Sequence, residues 1–301
     1  MTTQDVPTPP ALARATYDRA ADERQSADLI DRLRTDPATR VLAVHGDRAP
    51  VSADGRLVFV EPSLASTDAA WAFLGRTPTG TPLLLAAVDL EAEEPVADVE
   101  WASLRVAGGD LPDEDTALFV TAVSLGRWLL DAPFCPRCGG ATEVKAAGWA
   151  RRCTVCGREH FPRTDPAVIV LVTDPAGERI LLGKNALWAD RNLYSAFAGF
   201  VEAGESLEGA IVREIEEEAG VVVRAVQYRG SQAWPYPRSL MVGFRAQAAP
   251  ASTARADGEE IVEVRWFTRD EVRDALAGRG DVHLPGRASI AHRLISDWAR
   301  S

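Results

Sequence analysis

Residues 213–218 read Arg-Glu-Ile-Glu-Glu-Glu. In a helix that turns about 100° per residue, Glu214, Glu217 and Glu218 stand within one arc of roughly 100°. Carboxylates at i, i+3 and i+4 repel one another unless something positive stands among them. A solvated acidic face is one reading of such a run. Faces of that kind alternate with Lys or Arg four residues on, and here no basic residue follows until Arg224. The other reading is a seat for a hard divalent cation, which takes oxygen ligands. The helix is expected over residues 207–219, with Ser206 as N-cap, no proline inside and Gly220 as the C-terminal stop. Ile211, Ile215 and Ala219 line a separate flank suited to a core.

A second group is sulfur. Cys135, Cys138, Cys153 and Cys156 are all the cysteines of the chain, two Cys-x2-Cys knuckles separated by fourteen residues. Two such knuckles can set four thiolates tetrahedrally around Zn²⁺ at about 2.3 Å and close a ribbon too small to have its own core. Two disulfides, or unrelated thiols, are the alternative; they fit poorly with the lack of a secretion signal and of cysteine elsewhere. A Cys₄ site has no open position, so its expected role is structural, holding two domains together. His160 nearby is expected to be a spectator or a partner of the ligands.

The elements that must position these groups belong to a chain of 301 residues, 46% hydrophobic and 26% charged. That length suggests two domains. A net charge of −11 argues against broad binding to nucleic acid or an anionic membrane. With no leader-like start and no apolar run of membrane length, a cytoplasmic protein is expected.

The α+β reading in chain order begins with a Pro/Thr-rich disordered lead, residues 1–12. A small α+β domain follows over 13–132, with apolar runs at 41–44, 57–60 and 83–88 and an amphipathic helix over roughly 114–130. The zinc ribbon occupies 133–163, and the third domain 164–301. In that last domain the run ending at Val172 reads as a buried central strand and 179–183 as its hairpin partner. Further strands are expected at 221–228, 240–246 and 261–267, then a short helix from Asp270 and a last helix ending at Trp298. Between two of these strands lies Ser231-Gln-Ala-Trp-Pro-Tyr-Pro-Arg-Ser239. Its prolines and aromatic rings suit either a stiff pocket wall or an ordinary aromatic-filled hairpin loop. Arg105, in Ser-Leu-Arg, is either a phosphate contact or a surface residue.

Residues 199–221 resemble the Nudix box, Gly-x5-Glu-x7-Arg-Glu-U-x-Glu-Glu-x-Gly-U with U aliphatic. Its nine fixed positions are met by Gly199, Glu205, Arg213, Glu214, Ile215, Glu217, Glu218, Gly220 and Val221. Residues 231–239 are similar to the Ser-Gln-Pro-Trp-Pro-Phe-Pro-x-Ser signature of the NADH pyrophosphatase subfamily, departing at Ala233 for Pro and Tyr236 for Phe. The resemblance implies an α/β/α sandwich with a mixed sheet for the last domain. It implies Mg²⁺ or Mn²⁺ on Glu214, Glu217, Glu218, the backbone carbonyl of Ala198 and Glu260, with Glu263 as the nearby alternative to Glu260. Glu217, Glu218 or Glu260 would serve as base, and Arg213 would orient Glu205 or another box carboxylate. Substrate contacts implied in the same way are Gln232, Ala233, Trp234, Pro235, Tyr236, Pro237, Arg238, Ser239, Ala291, Phe200 and Phe161, the last supplied by the second subunit of a homodimer.

The expected activity is hydrolysis of the diphosphate of NAD(H) to AMP and nicotinamide mononucleotide, together with removal of the NAD cap from RNA 5′ ends. The nearest rival is an ADP-ribose or other dinucleoside pyrophosphatase on the same fold. A nucleotide-sensing module without turnover is a rival of another class, and the intact set of repelling glutamates argues against it.

Overall fold

A computed structural model describes residues 9–97, 99–250 and 252–301. Most of the expected lead, residues 1–8, lies outside the described residues; Ala11–Ala13 form a short 3-10 turn in which Ala11 and Leu12 are buried. The chain divides into two compact units. Among the described residues, one comprises Leu12–Thr164 with Pro235–Arg238, and the other Asp165–Trp234 and Ser239–Ser301 together with residues 9–11.

The first unit contains helix α1 (Leu29–Thr35) and strands β1 (Arg40–His45), β2 (Arg48–Pro50), β3 (Ala70–Arg76), β4 (Pro82–Val88) and β5 (Trp101–Ser103). Helices α2 (Leu104–Ala107) and α3 (Asp113–Asp131) follow. Its sheet runs β3-β4-β1-β2-β5, with β1 parallel to β4 and the other pairs antiparallel. Every residue of β4 is buried, so the sheet has to be covered on both faces. Leu29 and Leu33 of α1 pack with Leu84, Ala86 and Val88. On the intervening residues α3 comes so close that a Cβ on Gly126 would lie 2.9 Å from that of Ala87. The apolar run 57–60, expected as a strand, forms only isolated bridges, Val51 with Leu57 and Val41 with Val60. The Leu57 N–H is taken instead by the side chain of Asp115 at 3.1 Å. The ribbon adds β6 (Thr142–Lys145), β7 (Ala150–Cys153) and β8 (Glu159–His160), a three-stranded antiparallel sheet.

The second unit is built on β9 (Asp165–Thr173), β10 (Arg179–Asn185), β11 (Phe197–Phe200), β12 (Val223–Trp234), β13 (Ser239–Ala248) and β14 (Ile261–Thr268). Helices α4 (Leu207–Ala219), α5 (Arg269–Leu276) and α6 (Ile290–Arg300) cover it. The sheet runs β12-β13-β9-β10-β14, with β11 also on β9. It is mixed, because β13 runs parallel to β9 while β12/β13, β9/β10 and β10/β14 are antiparallel. Alternation along the central strand divides the core into two layers. Val168, Val170 and Val172 meet Ile211, Ile215 and Ala219 of α4, whereas Ile169 and Leu171 meet Leu294, Ile295 and Trp298 of α6. That is the α/β/α sandwich expected. Among the described residues no helix is long and apolar enough to cross a membrane.

Residues 231–239 differ from the loop expected there. Ser231, Gln232, Ala233 and Trp234 continue β12 in register with Val242, Met241, Leu240 and Ser239 of β13, leaving only Pro235–Arg238 as the turn. The two prolines suggest a longer loop, but only Pro235 and Pro237 themselves are unable to donate to the ladder.

Candidate active site

Helix α4 begins where expected. The Ser206 side chain accepts from the N–H of Gly209 at 3.0 Å, and Gly220 adopts the left-handed conformation, φ 64°, that stops the helix. The loop before it is tied down by one side chain. Arg213 donates through Nε and Nη2 to the two oxygens of Glu205, both at 2.9 Å, through Nη2 to the Phe200 carbonyl at 3.0 Å, and through Nη1 to Glu214 at 2.8 Å and Glu217 at 3.2 Å. This fork holds three carboxylates and raises the basicity of Arg213 further. The helix docks hard on β11: a Cβ on Gly199 would fall 2.0 Å from the Glu214 carboxyl carbon. Glycine is therefore required there by close approach. Burial raises the Glu214 carboxyl, opposed by Arg213.

Glu218 is different. It is 5% exposed, and its Oε2 has no hydrogen-bond partner among the described residues. Burial first, then the charges of Glu260, Glu214 and Asp257, push its carboxyl up to about 8, against the opposing N–H of Ala198. A buried carboxylate without a partner costs several kcal/mol, so the chain leaves this one either protonated or awaiting a cation. Glu260 is exposed and accepts from Asn185 Nδ2 at 3.2 Å. Its neighbour Glu263 is paired with Lys184 at 2.9 Å and its carboxyl is held low by that contact. The charge of Glu260, unlike that of Glu263, is among those that act most on Glu218, and Glu260 is the better candidate of the two. This donor set of hard oxygens, one buried and unsatisfied, fits a hard divalent cation.

The remaining expected contacts are placed as follows. Gln232 is buried and donates to the Ala288 carbonyl at 3.0 Å, while its own Oε1 lacks a partner among the described residues. Ala291 is buried in the first turn of α6, with its N–H directed at Ser289 Oγ at 3.1 Å. Pro235 and Ser239 are buried, Ala233, Trp234 and Tyr236 partly so, and Pro237 and Arg238 exposed. Phe200, in the unit that carries the glutamates, is 53% exposed. Phe161, 61% exposed, lines a cavity of about 480 Å³ in the other unit with Arg127, Trp128, Phe134, Pro237 and Arg238. Arg105 lies against an aromatic ring, its guanidinium carbon 3.8 Å from the centroid of Tyr236. Asp47, which accepts the Tyr236 hydroxyl at 2.9 Å, carried no signal in the sequence beyond a place in a polar turn.

All four cysteines are free, and their sulfurs lie within 4.8 Å of one another, with Cys135 to Cys156 at 3.7 Å and Cys138 to Cys153 at 3.5 Å. Those distances are too long for disulfides, at about 2.05 Å. They match the edge of a tetrahedron with Zn–S bonds of about 2.3 Å, roughly 3.8 Å. The Cys156 N–H points at Cys153 Sγ at 3.4 Å, and such amides are the first cause that pulls the Cys153 thiol down to about 6. His160 Nε2 stands 3.2 Å from Cys135 Sγ, so the histidine supports a ligand and does not replace one.

Three family models match in sequence order. Residues 38–128 match an NADH pyrophosphatase-like rudimentary NUDIX domain, 131–161 an NADH pyrophosphatase zinc ribbon domain and 163–285 a NUDIX domain. The chain is 42% identical over 298 residues to the NAD-capped RNA hydrolase NudC of Mycobacterium tuberculosis H37Rv, covering 92% of this chain and 93% of the relative. It belongs to the Nudix hydrolases of the NADH pyrophosphatase type. Other members of this family extend the likeness. The NAD-capped RNA hydrolase NudC of Stutzerimonas stutzeri is 38% identical, covering 72% of this chain and 73% of that one. The human NAD-capped RNA hydrolase NUDT12 is 38% identical over 63% of this chain and 43% of its own length.

Proposed function

We propose that this Nudix hydrolase splits the diphosphate of NAD(H) into AMP and nicotinamide mononucleotide and removes the NAD cap from RNA 5′ ends. The reading is supported by relatives named for the second activity and by the three matched domains in order. The observation that carries it is Glu218, a buried acid with one oxygen unsatisfied, beside Glu214 and Glu260. Glu214, Glu217, Glu218, Glu260 and the Ala198 carbonyl would hold Mg²⁺ or Mn²⁺, which would supply positive charge against the diphosphate and acidify water. The protein's own part is position and charge. Arg213 keeps Glu205, Glu214 and Glu217 in place; Glu217, Glu218 and Glu260 are the carboxylates able to take a proton from the attacking water. Residues 231–239 and Ala291 form the substrate wall. Phe200 of one protomer and Phe161 of its homodimer partner grip the nicotinamide ring, an aromatic contact worth about 1 kcal/mol per ring beyond burial. Zn²⁺ on Cys135, Cys138, Cys153 and Cys156 stabilises the ribbon at 133–163, between the domains at 13–132 and 164–301. The setting is the cytoplasm, and the acidic balance confines RNA recognition to the cap and first nucleotides.

Hydrolysis of NADH in ¹⁸O-water with Mg²⁺ or Mn²⁺, followed by mass spectrometry, tests the reading. AMP and nicotinamide mononucleotide, one of them labelled, are expected, at an initial rate above that on ADP-ribose. No cleavage of NADH, or a clear preference for ADP-ribose, overturns it.

A further inference from the structure

The turn Pro235–Arg238 lies between two strands of the Nudix sheet, yet it packs with Leu12–Thr164. Two residues from one corner of the N-terminal sheet hold its ring. Tyr236 donates its hydroxyl to Asp47 Oδ2 at 2.9 Å, and the Arg105 guanidinium covers the ring face at 3.8 Å. Asp47 follows β1 in the turn to β2, and its carbonyl accepts from the N–H of Leu104 at 3.0 Å, the first residue of α2, which also carries Arg105. The edge and face of the ring are therefore gripped from a single hydrogen-bonded corner. Arg127 of α3 adds a third hold, donating to the Pro235 carbonyl at 2.6 Å with its guanidinium 5.6 Å from the same ring.

We infer that Asp47 and Arg105 are positioning residues that hold Tyr236, and through it the substrate wall, in its binding conformation; the inference rests on the reading of residues 231–239 as that wall. The bond is directional, because a hydroxyl bound to a carboxylate is shorter and stronger than one bound to a neutral acceptor. Burial, reinforced by Asp47, raises the phenol and keeps it a proton donor. A phenylalanine would fill the same space and leave Asp47 without that donor. The hydroxyl is also what sets this chain apart from its signature at position 236, in a segment where Ala233 has replaced a stiffening proline. Arg105, a lone arginine in the sequence, thus acts on the wall and not on a phosphate.

The test uses the full-length protein, NADH and Mg²⁺, with kcat, KM and Tm measured for Tyr236→Phe, Asp47→Ala, Asp47→Asn and the double variant of the first two. Each of the first two is expected to raise KM for NADH by about five- to tenfold with kcat within about twofold, since the lost interaction orders binding. The double variant should be no worse than either single one, because both break one bond. Asp47→Asn retains an oxygen acceptor and should recover most of the loss. Arg105→Ala should raise KM in the same way. An unchanged KM in Asp47→Ala, multiplied effects in the double variant, or a fall in Tm that tracks activity without rescue by Asn overturns the inference while the functional reading stands. A wild-type enzyme inert on NADH overturns that reading and the inference with it.

Discussion

Helices α3 and α4 each lie on a mixed sheet and each bury one acid, Asp115 at 6% exposure and Glu218 at 5%. Burial is equal; compensation is not. Asp115 accepts the Leu57 N–H at 3.1 Å and faces Arg56 at 3.6 Å, so its charge is answered within the chain. Glu218 has an oxygen with no partner among the described residues, and three acidic neighbours act on it. Arg213, the nearest base in sequence, is spent on Glu205, Glu214 and Glu217. A chain tolerates an uncompensated buried carboxylate only where something outside it completes the site. The first unit has the layered sheet too, but the acid that its helix buries is answered by its own chain.

The contrast is sharpest in activity. Glu218→Gln should lower kcat on NADH by about a thousandfold or more, because the amide keeps the shape and removes the charge that holds a cation. Its fold should hold, and without metal its Tm at neutral pH should be no lower than that of wild type, because the wild type must take up a proton at Glu218 to fold there and the amide need not. Near wild-type turnover at saturating Mg²⁺ would break the assignment. The ribbon is a second place where the chain waits for a metal. Cys135→Ser should lose zinc by atomic absorption and drop Tm by roughly 10 °C or more, as binding free energy at such a site is folding free energy. A zinc-free variant that melts like wild type would remove the structural role.

Asp115→Asn should do the reverse of Glu218→Gln. Weakening a charged acceptor of a buried N–H costs about 1–3 kcal/mol, or several degrees of Tm, with kcat within about twofold. A large fall in kcat with Tm intact would mean that the two acids are not the different cases described. The effect of pH is on stability and not on turnover. The folded-state value of Glu218, about 8, lies above the unfolded 4.5, so its proton stabilises the metal-free fold. That stabilisation is complete below the unfolded value and is lost as pH rises through about 8. Metal-free wild type should therefore lose Tm relative to metal-free Glu218→Gln between these values; a constant difference would contradict the burial of an ionisable acid.

What was legible in the sequence is what is local. The bounds of α4 follow from Ser206, Gly220 and an apolar period that agree with one another, and the cysteine knuckles declare their site by spacing alone. The sandwich was legible through the contiguous box. The Tyr236–Asp47 bond joins residues 189 apart, and the Asp115–Leu57 bond residues 58 apart, and neither has a local pattern to read. Residues 231–234 read as loop in the sequence because of the two nearby prolines, and the ladder to β13 that makes them strand is supplied only by the folded sheet. Likewise the influence of Glu260 on Glu218, which marks it out over Glu263, is supplied only by the fold.

Mn²⁺ affinity, read by electron paramagnetic resonance on metal-stripped full-length protein at pH 7.5 (about neutral), tests most directly the claim that Glu218 is left open for a cation. Wild type and Asp115→Asn should bind alike, and Glu218→Gln about tenfold or more weakly, as loss of one charged ligand requires. Equal affinity in Glu218→Gln and wild type would contradict the claim.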